Sequence, residues 1–167
     1  MKYSIVYSSV TGNTRLLAEQ LKEVLPEADC VYYGAPDEQA AEAELIFAGF
    51  WTDKGNCDEG LASFLAGLQD KKVFLFGTAG FGGSEPYFEQ ILGNVRTHLN
   101  GSNAVVGTYM CQGRMPVAVR KRYEAMQPGN SEKMQGLIDN FDKALSHPDE
   151  ADFEHLRQCV EACWNQM

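Results

Sequence analysis

Apolar residues along the chain occur in two alternating patterns. In the first, short continuous apolar runs are bounded by polar residues, which is typical of strands buried on both faces of a parallel sheet. In the second, apolar residues recur every three or four positions, as at Leu17 and Leu21, which is the spacing of a helix with one buried face. The strand-like runs are residues 2–7, 30–33, 45–50, 72–77 and 104–110. Their alternation with helical segments predicts an α/β fold, a three-layer sandwich with helices on both faces of a parallel sheet.

Capping residues mark several helix boundaries. Asp58 can cap the helix after the third strand. Ser84 and Pro86 suit the first turn of the helix after the fourth strand. Asp149 and Asp152 form a capping pattern before the last helix. After the fifth strand, helices are expected at residues 117–126, 134–145 and 153–164, and at least one of them must cover the sheet.

Length and composition are those of a single globular domain. The chain has 167 residues, of which 44% are hydrophobic and 22% charged, and no apolar run approaches the roughly 18–20 residues of a membrane span. We therefore expect one domain without membrane association, with a core in residues 1–112 and a helical segment in residues 113–167. Only Lys2 precedes a first apolar run that breaks at Ser8, which is unlike a secretory signal and predicts a cytoplasmic location.

Charge and cysteine content narrow the possible ligands. A net charge of −9 disfavours nucleic acid and favours protein partners with basic faces. The five cysteines include no CxxC pair, which argues against a disulfide framework and a zinc knuckle. His155, Cys159 and Cys163 lie four residues apart on one helical face. No fourth ligand is evident, so half-buried helix positions explain this spacing better than a metal site does.

The segment SSVTGNT, between the first strand and the first helix, concentrates groups that bind an anion. Backbone N–H groups and the helix dipole favour negative charge at the start of a helix. Ser9, Thr11 and Thr14 can donate hydroxyl hydrogen bonds. Asn13 can donate from its amide, and Gly12 lets the backbone close around a ligand. The loop lacks the Lys of a Walker-type loop, which disfavours a nucleoside triphosphate, and an ordinary capped turn would not need three hydroxyls.

The hexapeptide Ser9-Val10-Thr11-Gly12-Asn13-Thr14 resembles the [TS]-x-T-G-x-T phosphate loop of flavodoxins, which binds the 5′-phosphate of FMN. The motif matches at every position and follows the first strand, as it does in that family. The resemblance covers roughly residues 1–112 and implies FMN as cofactor and a five-stranded sheet of order 2-1-3-4-5. The segments GFWTDKG, GTAGFGG, GTYMCQGRMP and SHPDEADF further resemble flavodoxin-like proteins of anaerobic and gut bacteria, including the BilS type found beside bilin reductases.

The resemblance implies that two further loops hold the flavin ring, one after the third strand and one after the fourth. Trp51 would cover one face of the ring and Phe81 the other, although an aromatic residue at a strand end also commonly belongs to the core. The pyrimidine edge of the ring would be contacted by the backbone N–H groups of Thr78, Ala79, Gly80 and Gly82.

In flavodoxins, one peptide of the first of these loops turns towards flavin N5 on reduction. Gly55 is one candidate here, and the peptides at Thr52 and Asp53 are others, because the loop does not align closely enough to select one. Lys54 departs from the acidic character of this loop in the family, and its charge would stabilise a reduced, anionic flavin. The net charge of −9 acts in the opposite direction, so the sequence does not give the sign of the shift in potential.

Three functions are compatible with the resemblance. The first, which we expect, is an FMN-binding carrier that transfers electrons between a reductase and an acceptor enzyme, since no general acid or base is evident near the three loops. The second is an FMN-dependent NAD(P)H oxidoreductase acting on a quinone, flavin or tetrapyrrole. Its nicotinamide site could use a basic cluster that is otherwise a solvated helix face: Arg114, Arg120, Lys121 and Arg122. The third is a flavin-free interaction module.

Overall fold

A central parallel sheet organises the computed structural model, which describes residues 1–82 and 84–167. All paired strands are parallel, in the order β2-β1-β3-β4-β5. Their bounds are β1 Tyr3–Tyr7, β2 Cys30–Gly34, β3 Leu45–Trp51, β4 Lys72–Ala79 and β5 Ala104–Gln112. The predicted fold class and strand order are confirmed. Gly83, the last residue of the Gly-rich segment after the fourth strand, lies outside the described residues.

Helices cover both faces of the sheet. Their bounds are α1 Asn13–Val24, α2 Glu59–Gly67, α3 Glu85–Arg96, α4 Val117–Met126, α5 Ser131–Ala144 and α6 Glu150–Gln166. Helices α2 and α3 enclose one hydrophobic cluster with the sheet, and α1 and α6 enclose the other. Successive strand residues point to opposite faces, so Val6 belongs to the first cluster and Ile5 to the second. Helix α6 is therefore the helix after the fifth strand that covers the sheet.

Two phenylalanine rings are seated over glycines on the neighbouring strand. Gly49 of β3 is paired with Phe76 of β4, and Phe50 of β3 is paired with Gly77 of β4. A Cβ atom at either glycine would overlap the ring of the phenylalanine beside it. The two rings belong to opposite clusters, so the same exchange of bulk for space occurs on both faces near the carboxyl edge of the sheet.

Most predicted helix boundaries are confirmed, with two differences in detail. Asp58 accepts a hydrogen bond from the Leu61 N–H at 2.9 Å, and Asp149 forms a capping box with Asp152. Ser84 stands at the predicted N-terminus of α3, but its side chain makes no capping hydrogen bond within the described chain. Val24 continues the predicted apolar stripe of α1 in sequence, yet it is 44% exposed, because α1 ends there and Leu25 occupies the buried position.

Helices α4 and α5 form a hairpin between β5 and α6, which is the addition that the sequence does not place. Arg120 of α4 joins the two helices, since its guanidinium contacts the Asp142 carboxylate at 2.9 Å and also pairs with Glu124 on its own helix. On α5, Asn140 reaches the loop after β4. The hairpin is thereby connected to the carboxyl edge of the sheet.

Candidate functional site

The loop between β1 and α1 presents polar groups at the N-terminus of α1. Gly12 precedes the helix with φ of 91°, a left-handed conformation that a residue with a Cβ rarely adopts. The Ser9 hydroxyl oxygen accepts a hydrogen bond from the Arg15 N–H at 3.4 Å, and Thr11 and Val10 are exposed. The first N–H groups of a helix have no intrahelical acceptor. Together these groups form a set of donors that suits an anion.

Thr14 and Asn13 lie deeper than the rest of the loop. In place of the anion contact that the sequence predicts, the fully buried Thr14 hydroxyl donates to the Phe50 carbonyl at 3.0 Å and lies 3.3 Å from the Thr78 hydroxyl. The group that Thr14 can offer an anion is therefore its backbone N–H. Asn13 is 5% exposed, and its amide donates to the Arg114 carbonyl at 2.8 Å.

The loop after β3 is held on both sides. Trp51 is half-buried, and its indole N–H donates to the Asp58 carboxylate at 3.3 Å. The Thr52 N–H and hydroxyl both donate to the Thr78 carbonyl, at 3.0 and 2.8 Å. These bonds connect the ends of β3 and β4, so the two loops that the sequence predicts around a flavin ring lie side by side.

Residues 53–56 close a tight turn with Lys54 and Gly55 at its centre. Asp53 and Asn56 exchange two backbone hydrogen bonds of 2.8 and 3.0 Å, and the φ angles of Lys54 and Gly55 are 50° and 78°, as a type I′ turn requires. The Gly55 carbonyl accepts from the Asn94 amide of α3 at 2.9 Å. Because the Asp53 N–H and the Gly55 carbonyl both have partners, turning either peptide would break a hydrogen bond.

Strand β4 is longer than the sequence predicts, which changes the loop after it. Thr78 and Ala79 are buried and pair within the sheet as the last residues of β4, because β3 and β5 flank them on both sides. Their side of the predicted pyrimidine contact is therefore strand backbone, and the loop proper begins at Gly80. Phe81 is 40% exposed, as a ring that covers a ligand from outside would be. Gly82 is half-buried.

The Gly80 carbonyl is held from two sides by residues that the sequence analysis does not single out. Gln112 of β5 donates to it at 3.0 Å and Asn140 of α5 at 3.1 Å. The two amides also contact each other at 3.2 Å. Neither side chain belongs to a recognisable motif, and only the fold brings them together.

A fourth segment, residues 113–116, borders the site and was not predicted. The Gly113 N–H donates to the Ala79 carbonyl at 3.0 Å, and a Cβ at Gly80 would overlap the Met115 side chain. Arg114 carries the carbonyl that binds Asn13. A signal for this segment existed in the sequence, because it directly follows the fifth strand and the carboxyl ends of parallel strands share one edge.

Two cavities flank the loop between β1 and α1. The larger, of about 590 Å³, opens towards the end of β2 and includes Asp58. A carboxylate in its wall opposes a phosphate. The smaller, of about 170 Å³, is bordered by the ends of β3 and β4 and by residues 113–116. Of the predicted site residues, it brings together Val10, Thr11, Asn13, Trp51, Thr52, Thr78, Ala79 and Gly80.

Comparison with known proteins agrees with this geometry. Residues 4–161 match the family model described as flavodoxin domain. The chain belongs to the flavodoxin family. It is 41% identical to the flavodoxin-like domain-containing protein BilS of Clostridium symbiosum (strain WAL-14163), over 93% of this chain and 94% of that protein. It is 31% identical to the BilS protein of Clostridioides difficile (strain CD3), over 90% and 89% of the two chains.

Solved structures show the same fold at low sequence identity. A Streptococcus pneumoniae TIGR4 flavodoxin aligns over 100% of both chains with a TM-score of 0.64 and 16% identity. Flavodoxin 2 from Bacillus cereus aligns over the same share of both chains with a TM-score of 0.58 and 18% identity. Family membership supports a flavin-binding electron carrier or a related flavoprotein. Within the described part of this flavodoxin-family chain, no helix is long and apolar enough to cross a membrane.

The only group of potential metal ligands that converges within residues 1–82 and 84–167 is a helix cap. His147 Nδ1 lies 2.6 Å from the Asp152 carboxylate and 3.8 Å from that of Asp149. The same carboxylates accept the N–H groups that begin α6, so capping accounts for their arrangement. Burial raises the pKa of the Cys159 and Cys163 thiols, which disfavours the thiolate that a metal would need.

Asp58 offers a test of how the loop after β3 is anchored. We expect Asp58→Ala to lower the free energy of unfolding by about 1 kcal/mol, because the N-cap of α2 is lost. Asp58→Asn retains the cap acceptor but places an amide donor against the Trp51 indole, so it should keep most of the stability and alter Trp51 fluorescence. Urea unfolding and emission spectra, both in a Trp164→Phe background, measure the two effects. Equal destabilisation by both variants would contradict the assigned cap.

Proposed function

We propose that this protein binds FMN and carries electrons between a reductase and an acceptor enzyme. The observation that carries the proposal is the position of the phosphate loop. Its donors at the N-terminus of α1 stand beside the ends of β3 and β4, where the hydrogen bonds of Thr14 and Thr52 connect the three loops. In an open parallel sheet, ligands bind at this edge, where the strand order reverses.

The residues of the site fit FMN. Ser9, Thr11 and the first N–H groups of α1 would hold its phosphate, and Gly12 supplies the left-handed turn that brings the backbone close. The Asn13 side-chain oxygen is buried and finds no donor in the described chain. A ribityl hydroxyl group is the kind of donor that would satisfy it. When bound, FMN would supply reversible uptake of one or two electrons.

The shallowness of the site favours a carrier. A cavity of about 170 Å³ is smaller than the roughly 300–1,000 Å³ of sites that enclose a whole ligand, so part of a flavin would remain exposed. Trp51 and the exposed Phe81 border this opening in the arrangement proposed for the two ring faces. An exposed edge permits electron transfer to a docked protein, and a net charge of −9 favours partners with basic faces.

The basic cluster gives less support to direct use of NAD(P)H. Arg120 is engaged by Asp142 and Glu124, so its charge serves the α4–α5 hairpin. Arg122 and Lys121 lie exposed on α4, as expected for a solvated helix face. The cluster is thus largely accounted for without a nicotinamide phosphate.

Titration of the apoprotein with FMN tests the proposal. We expect one-to-one binding, with quenched flavin fluorescence and a shifted visible spectrum. NADPH added alone should bleach the bound flavin slowly, whereas NADPH with an added flavodoxin reductase should bleach it rapidly. A protein that stays colourless would favour the flavin-free module, and rapid bleaching by NADPH alone would favour the oxidoreductase; either result refutes the proposed carrier.

A further inference from the structure

Arg114 is fixed by its backbone next to the first residue of α1. Its N–H donates to the His147 carbonyl at 3.1 Å, and its carbonyl accepts from the buried Asn13 amide at 2.8 Å. The two bonds hold the Arg114 backbone against the helix end whose N–H groups suit an anion. The residue also borders the small cavity together with Thr11.

The Arg114 side chain differs from the other arginines near the functional edge. It is exposed, and it forms no ion pair with any residue that the structure describes, in a chain with 23 acidic residues. In contrast, Arg15 pairs with Glu19, and Arg120 pairs with Asp142. Arg122 is also unpaired among the described residues, but it does not border the cavity.

Resting on the proposed function, we propose that Arg114 supplies the positive charge that neutralises the FMN phosphate. The phosphate monoester carries close to two negative charges at neutral pH, because its second pKa is about 6. Hydroxyl and N–H donors stabilise it by hydrogen bonds alone, whereas a guanidinium adds charge and a fork of donors that matches phosphate oxygens. The phosphate is the target because Arg114 is anchored to Asn13, at the helix end, and not to the ring loops.

This assignment makes residues 113–116 a fourth wall of the cofactor site. Met115 contacts Gly80 of the loop after β4, and Arg114 contacts Asn13 of the phosphate loop. The segment therefore joins the two ends of the site, and its cationic residue lies at the phosphate end.

The test compares FMN with riboflavin, which lacks the phosphate. We expect Arg114→Gln to weaken FMN binding about 10- to 100-fold, the loss expected for a hydrogen bond to a charged group. Riboflavin binding should change by less than about twofold. FMN affinity of the unsubstituted protein should fall with added salt more steeply than that of the variant, because salt screens the lost charge pair. Fluorescence titration measures every affinity.

Arg122→Gln is the matched control, since it removes the same charge from exposed α4. It should leave the FMN affinity unchanged, and both variants should unfold at the same temperature as the unsubstituted apoprotein. Unchanged FMN binding by Arg114→Gln would overturn this inference while leaving the proposed function intact. An equal loss of FMN and riboflavin would overturn it also, because the guanidinium would then act on the ring or ribityl chain. Failure of the unsubstituted protein to bind FMN would instead refute the proposed function.

Discussion

Replacing Ser9 and Thr11 together by alanine is expected to weaken FMN binding by about 10²- to 10⁴-fold. Each hydroxyl would donate a hydrogen bond to a charged phosphate, and each such bond contributes about 1.5–3 kcal/mol. Neither side chain is buried, so the apoprotein should unfold at an unchanged temperature. Isothermal titration of the apoprotein with FMN measures the loss, and riboflavin binding should be nearly unaffected.

Two further variants separate binding from folding. Ser63→Ala removes an exposed hydroxyl from α2 and should change neither property. Thr14→Ala removes the bond to the Phe50 carbonyl and leaves a buried acceptor unsatisfied, so it should destabilise the fold by about 1–3 kcal/mol. If the Ser9 and Thr11 double variant bound FMN as tightly as the unsubstituted protein, the loop would not be the phosphate site.

Gly49→Ala is expected to lower the free energy of unfolding by about 1–3 kcal/mol. The new Cβ would overlap the Phe76 ring in the middle of the sheet, where neighbouring strands on both sides restrict relaxation. Phe76→Ala alone should cost about 3–5 kcal/mol, because the ring is fully buried. Adding Gly49→Ala to Phe76→Ala should cost much less than adding it to the unsubstituted protein. Urea unfolding of the four proteins measures this coupling.

The control for this cycle is Gly93→Ala, on the exposed face of α3. A Cβ there meets no atom within 4 Å, so the substitution should stabilise the protein by about 0.5–1 kcal/mol through helix propensity. Additive costs for Gly49→Ala and Phe76→Ala would show that the overlap between the glycine position and the ring does not limit packing.

The parts of the fold that the sequence predicts correctly depend on local signals. The continuous apolar strands and the caps at Asp58 and Asp149 can be read within a few residues, and the structure places them as expected. The phosphate loop is also a local motif, with a glycine whose left-handed turn is now seen. Its cofactor contacts remain predictions.

The features that the sequence does not predict depend on distant partners. The Thr14 hydroxyl bonds a carbonyl 36 residues away, and Asn13 bonds one 101 residues away. Strand β4 continues through Ala79 because strands on both sides supply hydrogen-bond partners, which no local pattern reveals. Residue type alone assigned Thr14 a donor role that its burial redirects to the protein interior.

The two amides on the Gly80 carbonyl have a consequence for ligand choice. Gln112 and Asn140 occupy both lone pairs of that oxygen, so this peptide cannot accept a hydrogen bond from a bound molecule. What the peptide chain can still offer at that point is its N–H donors. The loop after β4 therefore discriminates in favour of molecules that present oxygen or nitrogen acceptors, and the α4–α5 hairpin takes part in that discrimination through a single side chain.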